Sequence, residues 1–166
     1  MNEIDYHRPK SSLEEWSDIL SWLLLLMILF ITARHFADLP ERVPTHINAL
    51  GEADRWGARR SVWLLPGLAI LLHGLMSLAQ RFPKMINYPV RITPENAQRQ
   101  FDLARTFIRV IRAATLALLL GIQWSILQIA LGGANRLSNP LMVLFVLPIL
   151  LIVPIAVYMV LAIRRR

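Results

Sequence analysis

The chain has 166 residues, 55% of them hydrophobic and only 17% charged, with a net charge of +7 and no cysteine. A soluble domain carries roughly a quarter charged residues, so a mean hydropathy of +0.47 excludes an ordinary water-soluble domain. The positive charge gathers at the edges of apolar runs, where it meets lipid phosphates rather than nucleic acid, and the missing cysteines exclude disulfide and thiolate chemistry.

Crossing the hydrocarbon of a bilayer takes roughly 20 residues as a helix, and four segments are predicted to do so. They are 16–36, 61–79, 107–131 and 140–163. The expected architecture is therefore an all-α four-helix membrane bundle, with a short ordered loop at 37–60 and a basic segment at 80–106. Ahead of the first span stand Glu3, Asp5, Glu14, Glu15 and Asp18 against Arg8 and Lys10, the wrong charge for a cleaved signal. Ser12 and Glu15 have the spacing of a capping box that starts this helix. Pro66 and Gly67 in the second span, and Pro148 and Pro154 in the fourth, predict bends. The loop 131–140 reads as a short hairpin turn between the third and fourth spans.

In the loop LPERVPTHINALGEADRWGARR, residues 39–60, Pro40 and Pro44 stiffen an extended stretch. Two turns are expected, at Asn48–Gly51 and at Asp54–Gly57, with positive φ at both glycines. Trp56 suits the headgroup level. Folding back would gather His46, Asn48, Glu52 and Asp54 into one polar neighbourhood. His46, Glu52 and Asp54 are metal-ligand types, although a single histidine makes a weak site and the spacing has no established geometry. A structured cap and a peptide-contact surface are the other two readings. The exposed carboxylates show no sign of a raised pKa, so no catalytic residues and no cofactor are expected.

The stretch 87–96 is held extended by its prolines, and Thr93-Pro94-Glu95 is predicted to start a helix. Along it Ala97, Phe101, Ala104, Ile108 and Ile111 fall within an arc of about 80°. Arg99, Asp102, Arg105, Arg109 and Arg112 take the opposite side. That predicts an amphipathic cytoplasmic helix over 94–112 with a solvated charged face, able to contact anionic lipid or a cytoplasmic regulator. Inside the membrane, His73 is the one titratable residue deep within a span. It is expected to hydrogen-bond Gln123 or Gln128 of the third span, or else to line a polar path. Gly67 and Gly74 are expected to mark a close-packed helix face.

Of the 18 lysines and arginines, twelve fall on the side shared by the two termini and the 80–112 region, and six on the other. The positive-inside rule then puts both termini in the cytoplasm and the 37–60 loop outside.

The pattern PxxVPTHxNxxGEADxWG, carried by Pro40, Pro44, His46, Asn48, Gly51, Asp54, Trp56 and Gly57, resembles the signature of bacterial membrane proteins grouped as domain of unknown function 1648, DUF1648. NYPVRITPENAQRQF is similar to a second block of that family, so the resemblance spans about residues 20–112. Ile47 stands where an aromatic is usual, and Ala58 where a serine often precedes the basic residue. The resemblance implies an integral membrane protein of the bacterial cytoplasmic membrane. In the SdpI-like immunity branch it implies protection against a membrane-active peptide toxin, with a cytoplasmic surface for a regulator. Three functions follow in order: a non-enzymatic receptor or immunity-type protein recognising a peptide or membrane-protein partner through 39–60, a transporter or transporter subunit using His73, and a metalloenzyme at the loop. The bilayer is the common partner, and nucleic acid is not one.

Overall fold

The computed structural model describes residues 5, 8–48, 50–82, 86–132 and 147–164. Four helices and one hairpin follow in chain order: α1 (Ser12–His35), β1 (Arg42–Ile47), β2 (Ala53–Ala58), α2 (Leu64–Ala79), α3 (Ala97–Ala130) and α4 (Leu147–Arg164). Among the described residues, α1, α2 and α3 with their flanking turns are long and apolar enough to cross a membrane. The expected hairpin turn over 131–140 and the beginning of the fourth span fall outside the described residues. What is described of α4 packs against α3, with Tyr158 stacked on Phe107 at 4.5 Å and the Gln100 amide donating to the Ala162 carbonyl at 3.0 Å.

The capping box of α1 is present one residue earlier than expected. Ser11 is the N-cap, its hydroxyl accepting from the Glu14 amide while the Glu14 carboxylate accepts from the Ser11 amide. Two serines and two glutamates in succession allow either register, and Glu14 is the one whose face of the helix is buried. The buried positions of α1 are Glu14, Ser17, Ser21, Leu25, Ile28, Ile31 and Thr32, a seam recurring every three or four residues. It meets a matching seam on α3, where Arg109, Arg112, Leu116, Leu119, Gln123 and Ile126 recur at the same spacing.

α3 is one continuous helix of 34 residues, about 51 Å long at 1.5 Å per residue. The amphipathic segment and the third span are thus a single element. It begins at Ala97, after a turn in which Thr93 accepts from the Asn96 and Ala97 amides, and not at Thr93. The Asn96 side chain holds that turn by accepting from the Thr93 amide and donating to the Arg91 carbonyl. Pro66 lies in the first turn of α2, where an amide has no intrahelical acceptor in any case, so it breaks no bond there. Gly67 and Gly74 do not mark a packed face, because a Cβ at either would meet nothing within 4 Å. The small-residue packing sits instead on α1, at Ser17 and Ser21.

The fold is not all-α. Arg42–Ile47 and Ala53–Ala58 pair as an antiparallel two-stranded sheet. Val43, Thr45 and Trp56 are strand formers, and Asp54–Gly57 is strand rather than the second turn expected. The first turn forms as predicted: Asn48 Oδ1 accepts from the Leu50 and Glu52 amides, the Asn48 carbonyl accepts from the Gly51 amide, and Gly51 has φ of 79°. The sheet is seated on the helices by Leu39, Val43 and Val62, which join Ile31, Ile126 and Leu127 in one apolar cluster. A second cluster of Leu25, Ile28, Ala69, Leu116 and Leu119 holds α1, α2 and α3 together below it.

Candidate functional site

The hairpin residues singled out in the sequence are brought together only in part. The exposed side chains of His46 and Asp54 hydrogen-bond to each other across the two strands. That bond from His46 is the main reason the Asp54 carboxyl lies below its ordinary value. Asn48 is spent on the turn and Pro44 is buried beneath the sheet. Glu52 does not join His46 and Asp54: among the described residues no three histidine, cysteine or carboxylate side chains could hold a metal ion. The antiparallel register explains the separation, since Glu52 belongs to the turn while His46 and Asp54 lie farther along the strands. Gly57 has no positive φ. Its constraint is space, for a Cβ there would sit 2.7 Å from Thr45 Cγ2 and 3.0 Å from Ser61 Oγ. Beyond these anchors the hairpin displays Leu50, Arg55 and Trp56, the last 44% exposed. β1 lies against α3, and β2 pairs with β1 alone, so its outer edge carries no further strand among the described residues.

His73 is buried but does not reach either glutamine. The Gln123 amide donates instead to Thr32 Oγ1 at 2.8 Å and to the Val62 carbonyl at 3.2 Å. Val62 is 11 residues before His73 on the same helical run, about 16 Å away along the axis. His73 stands beside Trp22, ring centroids 4.3 Å apart. Gln128 is only half-buried. Among the described residues no hydrogen bond joins His73 to Gln123 or Gln128.

A second polar cluster was not foreseen. Arg109 and Arg112, expected on a solvated face, are only 6% and 4% exposed. They turn into the seam and meet the carboxylates of α1. Arg109 lies 3.3 Å from both Glu14 and Asp18, and Arg112 donates to Asp18. Arg8 closes the group by pairing with Glu14 and Asp102, and Lys10 reaches Asp18 at 2.7 Å. Hydroxyls extend the network by a repeated device. Ser21 donates to the Ser17 carbonyl one turn back and accepts from Arg112 Nε at 3.2 Å. Ser77 donates to the His73 carbonyl and accepts from Arg112 at 2.6 Å. Thr32 does the same at the other end of the seam, donating to Ile28 and accepting from Gln123. Each hydroxyl uses its proton within its own helix and keeps a lone pair for the neighbour. The signal lay in the spacing, because Arg109 and Arg112 continue the same three-four periodicity as Leu116 and Leu119.

The fold and these two clusters define a mostly helical protein whose described residues include three helices long and apolar enough to cross a membrane, with a small sheet at one end and buried ion pairs at the other. Residues 22–70, the second half of α1 through the hairpin into α2, match the family described as Domain of unknown function (DUF1648), as the hairpin signature led one to expect. The chain is also similar to an uncharacterized protein of Archaeoglobus fulgidus, 29% identical over 128 residues that cover 68% of this chain and 69% of the other. No solved structure matches the chain.

Proposed function

We propose that this is a four-span membrane protein of the cytoplasmic membrane, with both termini inside, that acts by recognition rather than catalysis. In this reading the hairpin faces outward and receives a peptide or a segment of another membrane protein, as a receptor or immunity-type protein does. The observation that carries it is the hairpin's division of labour. Leu39, Val43 and Val62 lock its base into the helix core, while Leu50 stands exposed at the turn and Arg55 and Trp56 on β2, whose outer edge pairs with no other strand among the described residues. A rigid open edge with an aromatic beside it suits an extended peptide, which adds main-chain hydrogen bonds as a further strand and seats alternate side chains. The exposed His46–Asp54 pair lies on the same element and supplies a polar contact.

The test is site-specific photo-crosslinking in cells. A crosslinking residue in place of Trp56 should give a discrete polypeptide adduct, whereas one in place of the exposed α2 residue Leu71 should give lipid adducts only. Lipid adducts alone at both positions would overturn the recognition reading.

A further inference from the structure

We propose that the cavity at the charged end of the bundle binds the phosphate of an anionic lipid headgroup. The cavity, about 750 Å³, lies between α1, the end of α2 and α3. Five cations line it, Lys10, Arg81, Arg105, Arg109 and Arg112, against the single carboxylate of Asp18. That carboxylate is already shared among Lys10, Arg109 and Arg112. The lining thus has an excess of positive charge that its own acid does not balance. Two of its donors make the need specific. A terminal guanidinium nitrogen of Arg105 and the side-chain amide nitrogen of Gln80 lie just behind the cavity wall without a hydrogen-bond partner among the described residues, and a side-chain rotation would bring them to an acceptor in the cavity. Buried donors are nearly always satisfied, and the exceptions call for a missing acceptor.

A tetrahedral oxyanion supplies what is absent: several acceptor oxygens and negative charge in one compact group. Guanidinium forks match phosphate in geometry, and charge-assisted bonds of this type are the strong ones. The remaining wall selects the source. Ile19 and Trp22 line the same cavity and are about half exposed on the apolar flank of α1. Tryptophan beside a basic pocket between spans is the arrangement that meets headgroups at the interface. The phosphate therefore arrives on an amphiphile whose chains stay along α1. This site lies at the opposite end of the helices from the hairpin, so it stands or falls independently of the recognition reading.

The experiment uses the full chain, delipidated and placed in nanodiscs of phosphatidylcholine, with phosphatidylglycerol or inorganic phosphate added. Bound lipid is read by native mass spectrometry and stability by thermal unfolding. Phosphatidylglycerol should be retained in preference to phosphatidylcholine of the same chains and should raise the melting temperature. Arg105→Gln should weaken that retention roughly tenfold, the equivalent of one charge-assisted hydrogen bond, with melting in phosphatidylcholine unchanged. Arg81→Gln, at the exposed rim, should weaken it less and covers the case in which the Arg105 variant fails to fold. Inorganic phosphate that displaces the lipid would support the shared oxyanion site. Phosphate binding with no preference for phosphatidylglycerol would overturn the lipid as its source. Equal retention of both lipids, or retention unchanged in both variants, would overturn the proposal.

Discussion

At the residue scale, the two glycines of the hairpin are required for different reasons, and substitution separates them. Gly51 holds φ of 79°, a conformation that costs a side-chain-bearing residue roughly 1–2 kcal/mol. Gly57 has ordinary backbone angles, but a Cβ would press on the Thr45 methyl at 2.7 Å. Thr45 is β-branched and stiff at χ1, so that methyl cannot swing aside cheaply. Gly57→Ala should therefore destabilise by about 1–3 kcal/mol, as overpacking does, and Thr45→Ser should recover much of the loss. Gly51→Ala should not respond to Thr45→Ser. Gly67→Ala, with open space around it, should be neutral or slightly stabilising. Thermal unfolding in one detergent reads all of these, and an equal cost at Gly67 and Gly57 would refute the spatial argument.

The His46–Asp54 pair makes a second prediction at the same scale. Asp54 has a depressed carboxyl because His46 hydrogen-bonds its charged form. A depressed acid stabilises the fold fully above the ordinary carboxylate value of about 3.9, and the contribution fades as pH falls through the lower, folded-state value. Hairpin amide protection should thus hold from neutral pH down to about 4 and drop more steeply below it. Asp54→Asn should remove that acid-sensitive step from the profile. An identical profile in the variant would mean the pair does not hold the strands.

At the scale of elements, the α1–α3 seam shows what could and could not be read from the residues. Helices are visible in the apolar runs, and the Asn48–Gly51 turn in its side-chain chemistry, because both depend on neighbours in the chain. Which face of α3 turns inward depends on α1, about 90 residues away, and periodicity of apolar residues alone chose Ile108 and Ile111. The structure buries Arg109 and Arg112 instead, since Glu14 and Asp18 wait on the facing helix. The strand at 53–58 was hidden for a related reason: Asp54 and Gly57 are turn formers by propensity, and pairing with β1 overrides that. Glu14 is wholly buried, so Glu14→Gln leaves Arg109 short of countercharge, and losing one partner of a buried pair typically costs about 3–5 kcal/mol. Arg109→Met added to Glu14→Gln should restore part of that, with a coupling on the order of 1–3 kcal/mol. Strict additivity in unfolding measurements would show that the pair does not couple the helices.

At the scale of the whole molecule, the charges mark out a slab. α1 is free of charged residues between Asp18 and Arg34, the α2 region between Arg60 and Arg81, and α3 from Arg112 to its end at Ala130. At 1.5 Å per residue these intervals are about 24, 32 and 27 Å, each near the 30 Å of a hydrocarbon core. A hydrocarbon core of that thickness would begin at the Asp18–Arg112 pair and end at the base of the hairpin, leaving the 30 residues between Arg81 and Arg112 outside it. In the proposed arrangement the two clusters lie on opposite sides of the membrane, the hairpin outside and the ion pairs on the cytoplasmic side, as the positive-inside rule expects. The chain has no cysteine, so a single introduced thiol reports alone. Leu50→Cys, at the exposed hairpin turn, should react with an impermeant maleimide applied to intact cells. Asn87→Cys and Arg99→Cys, both exposed on the other side of the slab, should react only after the membrane is opened. The reverse pattern would place the hairpin in the cytoplasm. It would remove the basis for an external peptide partner while leaving the slab itself intact. Labelling of all three in intact cells would remove the slab as well.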